Sequence, residues 1–342
     1  MACGVPGPPV PPIPKIPQVP SGLTARQVGE RVQLRWTLPR LNTDGTRLEG
    51  PPKMEVLRTF VSGALPSPER FAAEAKVVYS LPGQVVSSFV QQDIVAFPDV
   101  LNPGLLREQS GRLAVYAVRA TNDKGESAGM SNLMGLSVYP VAVPIALVRT
   151  RVTERAIELR WEPPTRTTSG APVDAVAGYQ VYRSETGGPG SFVLHGTAAA
   201  PLYEDAQFRF GQKYFYFVRT LAQYGADSVE SDGSAIAEVF ARDLFPPPVP
   251  ANVIVVAGAG RVDLTWDASA AADLKGYFVY RSLESGKGYQ RVTPEALRVL
   301  SLVDTDVKAG TRYFYVVTAV DAEGNESAFS QEVAAEPLPL EQ

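Results

Sequence analysis

The chain has 342 residues, of which 45% are hydrophobic and 20% are charged, a composition typical of a globular protein with two or three domains. A net charge of −4 excludes the concentrated basic surface that binds nucleic acid. The longest apolar stretch, residues 141–148, contains Pro144 and is far shorter than the ~20 residues of a membrane-spanning helix. Because there is a single cysteine, no internal disulfide can form, and each domain must be stabilised by its own core.

The sequence starts with MACG, and Cys3 is its only cysteine. This start resembles the lipobox of bacterial lipoproteins, although the charged and apolar signal segment of that family is missing. The resemblance implies lipid attachment at Cys3, a membrane partner and a location in the cell envelope, with Gly4 favouring the outer membrane. Residues 5–20 are rich in proline, which predicts an extended spacer. If Met1 is the true start, the alternative is a cytoplasmic protein with an incidental cysteine.

Three tryptophans, Trp36, Trp161 and Trp266, follow alternating apolar and polar residues in VQLRWTLP, AIELRWEPP and RVDLTWDAS. Alternation with a period of two predicts a β-strand with one buried face. Two pairs of near-copies follow the second and third tryptophans: GYQVYRSETG with GYFVYRSLESG, and GQKYFYFVRTLAQYG with GTRYFYVVTAVDAEG. The first third of the chain has a weaker version, GRLAVYAVRATNDKG, so the sequence predicts three copies of one module.

This ordered set of segments resembles the fibronectin type III module, an immunoglobulin-like β-sandwich. The resemblance implies an all-β chain of three tandem fibronectin type III β-sandwiches. It places the three tryptophans in the structural core, together with the strand-C aromatic residues Tyr182 and Tyr280. It also places Tyr214 and Tyr313 at the tyrosine corner, where the hydroxyl bonds to nearby backbone.

Proline concentrates in VYPVAVP and FPPPVP, and these stretches mark the predicted domain boundaries. The predicted parts are a tether at 1–19, a first domain at 20–140, a second at 141–244, a third at 245–337 and a tail at 338–342. Because the linkers are short and stiffened by proline, the sequence predicts an elongated rod.

The first domain departs from the repeat by an insertion at about residues 61–110. The segment from Trp36 to Ala114, the residue that aligns with the corner tyrosines, is longer than its counterparts by roughly 25–30 residues. Within it, SPERFAAEAK predicts a short helix with Ser67 as N-cap and Pro68 at the first helical position. One interpretation is a loop that covers one end of the sandwich.

The alternative interpretation of the insertion is a binding surface, because recognition sites are common on long loops of a rigid scaffold. Its candidate residues are Tyr79, Phe89 and Phe97.

The sequence offers few groups for catalysis. His195 is the only histidine, so a metal cluster of several histidines cannot form, and its position on a predicted strand favours a surface or edge residue over a member of a Ser-His-Asp triad. Four acids at predicted turns raise the question of calcium, but solvated turns are the favoured interpretation. These acids are Asp304, Asp306, Asp321 and Glu323. We therefore predict no catalytic residue, no metal and no cofactor, and we do not expect an enzyme.

Two functions follow from these observations. The favoured one is a non-catalytic, membrane-tethered rod that presents a protein- or glycan-binding surface at the bacterial cell envelope. Its partner would be an envelope protein or a polysaccharide, and not a nucleic acid. The alternative is an accessory protein that binds or spaces substrate in extracellular polysaccharide degradation.

Overall fold

The computed structural model describes residues 14–339. It confirms the predicted all-β sandwich fold, because its elements are short strands in several sheets, with only short helices among them. Cys3, the predicted site of lipid attachment, lies outside the described residues.

The first sandwich consists of two four-stranded sheets around Trp36. Its elements are β1 (Ser21–Val28), β2 (Arg31–Thr37), β3 (Lys53–Val61), α1 (Pro68–Glu74), β4 (Lys76–Leu81), α2 (Gly83–Ser87), β5 (Val90–Gln91), β6 (Ile94–Val100), α3 (Pro103–Glu108), β7 (Leu113–Thr121) and β8 (Met134–Ser137). One sheet has the order β1-β2-β6-β5 and the other has the order β4-β3-β7-β8. Trp36, Met54 and Tyr116 belong to the core between them.

The second sandwich has the same layered arrangement. Its strands are β9 (Val148–Val152), β10 (Ile157–Trp161), β11 (Val176–Ser184), β12 (Val193–Ala198), β13 (Leu202–Asp205), β14 (Lys213–Tyr224), β15 (Asp227–Glu230) and β16 (Ala237–Phe240). One sheet has the order β13-β10-β9, and the other contains β12-β11-β14 with β15 and β16 both paired to β14. The Trp161 ring meets the Tyr179 ring edge-on, with centroids 5.1 Å apart.

The third sandwich repeats this plan. Its strands are β17 (Ile254–Gly258), β18 (Arg261–Thr265), β19 (Leu274–Ser282), β20 (Gln290–Arg291), β21 (Ser301–Asp304), β22 (Tyr313–Asp321) and β23 (Val333–Ala335). The sheet orders are β17-β18-β21 and β20-β19-β22-β23. Trp266, directly after β18, meets Tyr277 of β19 edge-on at 5.6 Å between centroids.

The structure corrects the expected core positions of Tyr182 and Tyr280. Along β11 the buried aromatic residue is Tyr179, and along β19 it is Tyr277, whereas Tyr182 and Tyr280 are only partly buried. Successive side chains of a strand point to opposite faces, so one of the two tyrosines in each segment must face away from the core. Sequence matching selected the wrong tyrosine of each pair.

The described chain forms two compact units. One unit comprises the described residues up to Phe208 together with Lys213–Phe240, and it holds the first two sandwiches. The other comprises Arg209–Gln212 and the described residues from Ala241 onward.

Within the first unit, one sheet is continuous across both sandwiches, in the order β12-β11-β14-β15-β1-β2-β6-β5. At the junction β1 pairs in parallel with β15, with Val28 opposite Glu230, and the Gly29 amide donates to the Glu230 carbonyl at 2.9 Å. Gly29 has a φ of +58°, and a Cβ there would lie within 2.5 Å of the Asp232 carboxylate. Glycine allows this close approach of the two sandwiches.

The insertion of the first sandwich contains the predicted helix. α1 begins after Ser67, whose Oγ accepts a hydrogen bond from the Arg70 amide at 3.3 Å. Phe71 of α1 is completely buried in a small cluster on the side of the β4-β3-β7-β8 sheet that faces away from the sandwich core. The other buried residues of that cluster are Leu57, Val61, Val115 and Ala117. The helix therefore covers the outer face of a sheet and not the end of the sandwich.

Candidate functional site

The predicted core and corner residues have structural roles. The three tryptophans, Tyr214 and Tyr313 are buried. The Tyr313 hydroxyl accepts a hydrogen bond from the Lys308 amide at 3.0 Å, which is the backbone contact of a tyrosine corner. The Arg183 guanidinium lies over the Tyr214 ring, 4.4 Å from its centroid.

The candidate binding surface in the insertion is instead part of the first core. Phe97 is buried, and the rings of Tyr79 and Phe89 meet it edge-on with centroids 4.9 and 5.1 Å away. Both partner rings are partly buried against the same cluster that contains Trp36. The three rings stabilise the extended sandwich and do not form an open surface, because Phe97 sits on β6 with its side chain directed inward.

Each sandwich buries one aspartate between an arginine and a tyrosine. In chain order the sets are Arg58–Asp99–Tyr116, Arg183–Asp205–Tyr216 and Arg281–Asp304–Tyr315. In every set the tyrosine hydroxyl donates to the carboxylate at 2.7–2.9 Å. Burial and the adjacent carboxylate raise the pKa of each of these tyrosines far above its usual value, so the hydroxyl remains a donor.

These sets correct the expectation that Asp304 is a solvated turn residue. A carboxylate can be buried when an arginine and a hydroxyl both satisfy it, and Arg281 lies 2.9 Å from Asp304. The near-copies contain a sequence signal for this buried pair, because an arginine follows the strand-C tyrosine in both VYRS segments. His195 belongs to the same arrangement in the second sandwich, with Nε2 3.0 Å from Asp205 Oδ1.

Four acids converge in the third sandwich. The carboxylate oxygens of Asp243, Asp273, Asp321 and Glu323 lie within 4.8 Å of one another. Partial burial and the charges of Asp273 and Asp321 raise the pKa of Asp243. Carboxylates are ligands that Ca²⁺ accepts, but both oxygens of Asp321 already accept hydrogen bonds from Asn325, each at 2.7 Å. We therefore assign no metal to this cluster.

The outer faces of the central sheets differ between the sandwiches. The three sandwiches can be aligned on one serine each. In every sandwich the Oγ of this serine accepts a hydrogen bond from the backbone amide of a valine on the central strand, at 2.9–3.1 Å. These serines are Ser131, Ser234 and Ser330. The residues directly before them, at the same place on each outer face, are Met130, Gly233 and Phe329.

In the first two sandwiches this place is covered. Met130 packs against the cluster under α1. In the second sandwich the Tyr182 and Phe217 rings stack with centroids 4.6 Å apart and planes inclined by 13°. Gly233 leaves room for this stack, because a Cβ there would lie 2.9 Å from the Phe217 ring.

In the third sandwich the place is open. Phe329 is 48% exposed, and the rings of Tyr280 and Tyr289 flank it with centroids 5.1 and 5.2 Å away. We call Phe329, Tyr280 and Tyr289 the aromatic triplet. Sequence analysis missed Phe329, although ESAGMSN, ESDGSAI and ESAFSQE show a phenylalanine only in the third segment.

Two glutamates hold the flanking rings. The Tyr280 hydroxyl donates to Glu326 at 2.6 Å, and burial together with this carboxylate raises the pKa of Tyr280 to about 12. The Tyr289 hydroxyl donates to Glu332, which also accepts from Ser285 Oγ at 2.7 Å. The triplet is thus fixed in place, with carboxylates at its rim.

Comparison with known proteins finds similarity to short parts of proteins named amylopullulanase and exoglucanase B. The chain is 40% identical over 96 residues to an amylopullulanase of Thermoanaerobacterium saccharolyticum, covering 28% of this chain and 7% of that protein. It is 31% identical over 231 residues to exoglucanase B of Cellulomonas fimi, covering 63% of this chain and 19% of that protein. The chain therefore spans only a small part of these relatives. No protein-family model matches it.

Solved structures of fibronectin type III proteins are also similar. The FN1–FN3 domains of chicken CNTN1 match 94% of this chain and 99% of that structure, with 17% identity and a TM-score of 0.29. A Fn3-like protein from Clostridium thermocellum matches 29% of this chain and 100% of that structure, with 31% identity and a TM-score of 0.25. The chain is an all-β protein of three tandem fibronectin type III sandwiches. Among residues 14–339, no helix has the length and apolar character to cross a membrane.

Proposed function

We propose that these sandwiches are non-catalytic accessory modules that bind polysaccharide for its degradation. The observation that carries the proposal is the similarity to segments of proteins named amylopullulanase and exoglucanase, which are names of glucan-degrading enzymes. Each matching segment is a small part of its enzyme, as expected for an accessory module rather than for the catalytic domain.

The chemistry of the described residues supports a non-catalytic role. Glycoside hydrolysis requires two carboxyl groups that face each other across a substrate groove at about 5–9.5 Å. The three aspartates buried in these sets each bind an arginine and a tyrosine of their own sandwich, so they serve packing. The aromatic triplet, whose Phe329 is 48% exposed, instead offers a surface for binding.

Co-sedimentation with insoluble starch and with amorphous cellulose tests the proposal, with serum albumin as the unbound control. We expect the chain to leave solution with at least one glucan and to release no reducing sugar above background. Absence of binding to both glucans contradicts the binding role, and release of reducing sugar contradicts the non-catalytic role.

A tether at Cys3 is a separate part of the proposal and rests on the resemblance of MACG to a lipobox. A lipid there would hold the modules at the cell envelope. Labelling with radioactive palmitate tests it in a bacterial host that expresses the gene together with its upstream region, with Cys3→Ala as the matched control. We expect label only in the wild type, and an unlabelled wild type contradicts the tether.

A further inference from the structure

We propose that the aromatic triplet of the third sandwich is the surface on which the chain stacks a neutral glucan, with the Phe329 ring as the central contact. This inference rests on the proposed function and names the site and the class of ligand.

The exposure of Phe329 is the first argument. A single exposed apolar side chain is ordinary, but Phe329 is held between two further rings on the same sheet face. The equivalent residue is Met130, which packs against the cluster under α1, in the first sandwich, and Gly233, beside the stacked Tyr182 and Phe217 rings, in the second. The fold therefore does not require an aromatic ring here, and the third sandwich presents one to solvent.

Rigidity is the second argument. Glu326 accepts hydrogen bonds from the hydroxyls of Tyr280 and Thr318, both at 2.6 Å. Glu332 accepts from Tyr289 and from the backbone amide of Gly286. A surface whose rings are already fixed loses little conformational entropy when a ligand binds.

The chemistry of the rim selects the ligand. A pyranose ring presents C–H groups on its faces and hydroxyls at its edge, so it can place C–H groups against the negative face of an aromatic ring. Its hydroxyls can donate to the carboxylate oxygens of Glu326 and Glu332 at the same time. Arg291 beside Tyr280 and Arg312 beside Glu332 balance these two negative charges, so the rim favours neither acidic nor basic polysaccharides and a neutral glucan fits best.

Co-sedimentation with insoluble starch and amorphous cellulose tests the site through matched variants. Phe329→Ala removes the central ring, and Phe329→Trp restores an aromatic face. Val303→Ala is the control, because Val303 lies on β21 in the other sheet of the same sandwich and is 52% exposed. We expect Phe329→Ala to weaken binding at least about fivefold, Phe329→Trp to retain it, and Val303→Ala to match the wild type.

The outcomes separate the two proposals. A wild type that binds neither glucan overturns the proposed function and the site together. A wild type that binds while Phe329→Ala binds equally overturns the site alone. Equal thermal unfolding midpoints of the variants and the wild type establish that a loss of binding is not caused by unfolding. Sedimentation velocity tests whether the triplet binds a second copy of the chain instead. A wild-type dimer that Phe329→Ala converts to a monomer would assign the triplet to self-association and overturn the glucan site.

Discussion

The rings of Tyr139 and Tyr224 stack with centroids 4.6 Å apart and planes inclined by 11°. Tyr139 belongs to the end of the first sandwich and Tyr224 ends β14 of the second. The Tyr224 hydroxyl donates to the Pro140 carbonyl at 2.6 Å, and the Tyr139 hydroxyl donates to Asp227 at 2.7 Å. Nearby, buried Glu230 pairs with Arg26 of the first sandwich and with Arg219 of the second. These contacts join two sandwiches that the sequence treats as separate repeats.

Tyr224→Ala should destabilise the junction. The substitution removes a stacked aromatic pair and a hydrogen bond to backbone, and together these should lower the free energy of unfolding of the first unit by about 2 kcal/mol. Chemical denaturation measures the loss of free energy of unfolding. Hydrogen exchange of peptides from β1 and β15 shows whether the loss falls on the junction. Tyr139→Phe is the control: it keeps the stack, loses only the exposed hydrogen bond to Asp227, and should cost less than about 1 kcal/mol. Equal stability of Tyr224→Ala and wild type would show that the stack does not couple the sandwiches.

Two tryptophan variants should unfold different parts of the chain. Trp161→Ala should cost the first unit about 3–5 kcal/mol, as deletion of a large buried aromatic does. Because β15 pairs with β1, peptides of the first sandwich should also lose protection from hydrogen exchange. Trp266→Ala should affect only residues 253–335, since among the described residues the core around Trp266 contains side chains of its own sandwich alone. Protection of β1 and β2 that survives Trp161→Ala unchanged would contradict the coupling.

Asp205→Ala should be severely destabilising. It leaves Arg183 without its buried partner, which costs about 3–5 kcal/mol. Glu238→Ala is the control, because it breaks the exposed pair with Lys213 and should cost less than about 1 kcal/mol. Thermal denaturation at pH 7 compares the two variants, and similar losses would contradict a special role of the buried set.

The same variant has a pH signature. Burial opposes ionisation of Asp205, but hydrogen bonds from Tyr216 and His195 outweigh it and hold its pKa below the usual 3.8. A lowered pKa in the folded state contributes stability above pH 3.8, and this contribution is lost as pH falls through the folded value. The difference between wild type and Asp205→Ala should therefore be constant near neutrality and shrink below pH 3.8.

Asp243→Asn should stabilise the third sandwich. Burial and the charges of Asp273 and Asp321 raise the pKa of Asp243, so its ionised form is unfavourable in the folded state. The unfavourable contribution is present above the raised pKa and disappears as pH falls through it toward the usual 3.8. Because Asp243 itself is only partly buried, the gain at pH 7 should be only about 0.5 kcal/mol, and it should vanish at low pH. Thermal denaturation in EDTA measures it, with the exposed Glu295→Gln as control, and a loss of stability at pH 7 would contradict the repulsion.

The helices of the insertion show which local signals are readable. Ser67 followed by Pro68 predicts α1, and the structure has that cap. The same type of signal precedes α3, where Asn102 Oδ1 accepts from the Leu105 amide at 2.9 Å and Pro103 follows, so this helix start is equally readable in the sequence. The surface against which α1 packs cannot be predicted from the local sequence, because Phe71 is buried by residues of β3 and β7, and those of β7 are distant in the chain.

Period-two patterning and the repeated tryptophan segments determine by themselves that this chain folds as three tandem β-sandwiches, because strand alternation and turn chemistry are local properties. Only the tertiary structure decides which of the two tyrosines in GYQVYRS and in GYFVYRS faces the core, that Asp304 is buried, and that Phe329 is open to solvent. It also decides that Arg26 meets Glu230 across 204 residues of sequence. Such pairings depend on the packing of distant segments, and a local pattern contains no information about which distant side chain will neutralise a charge or cover a ring.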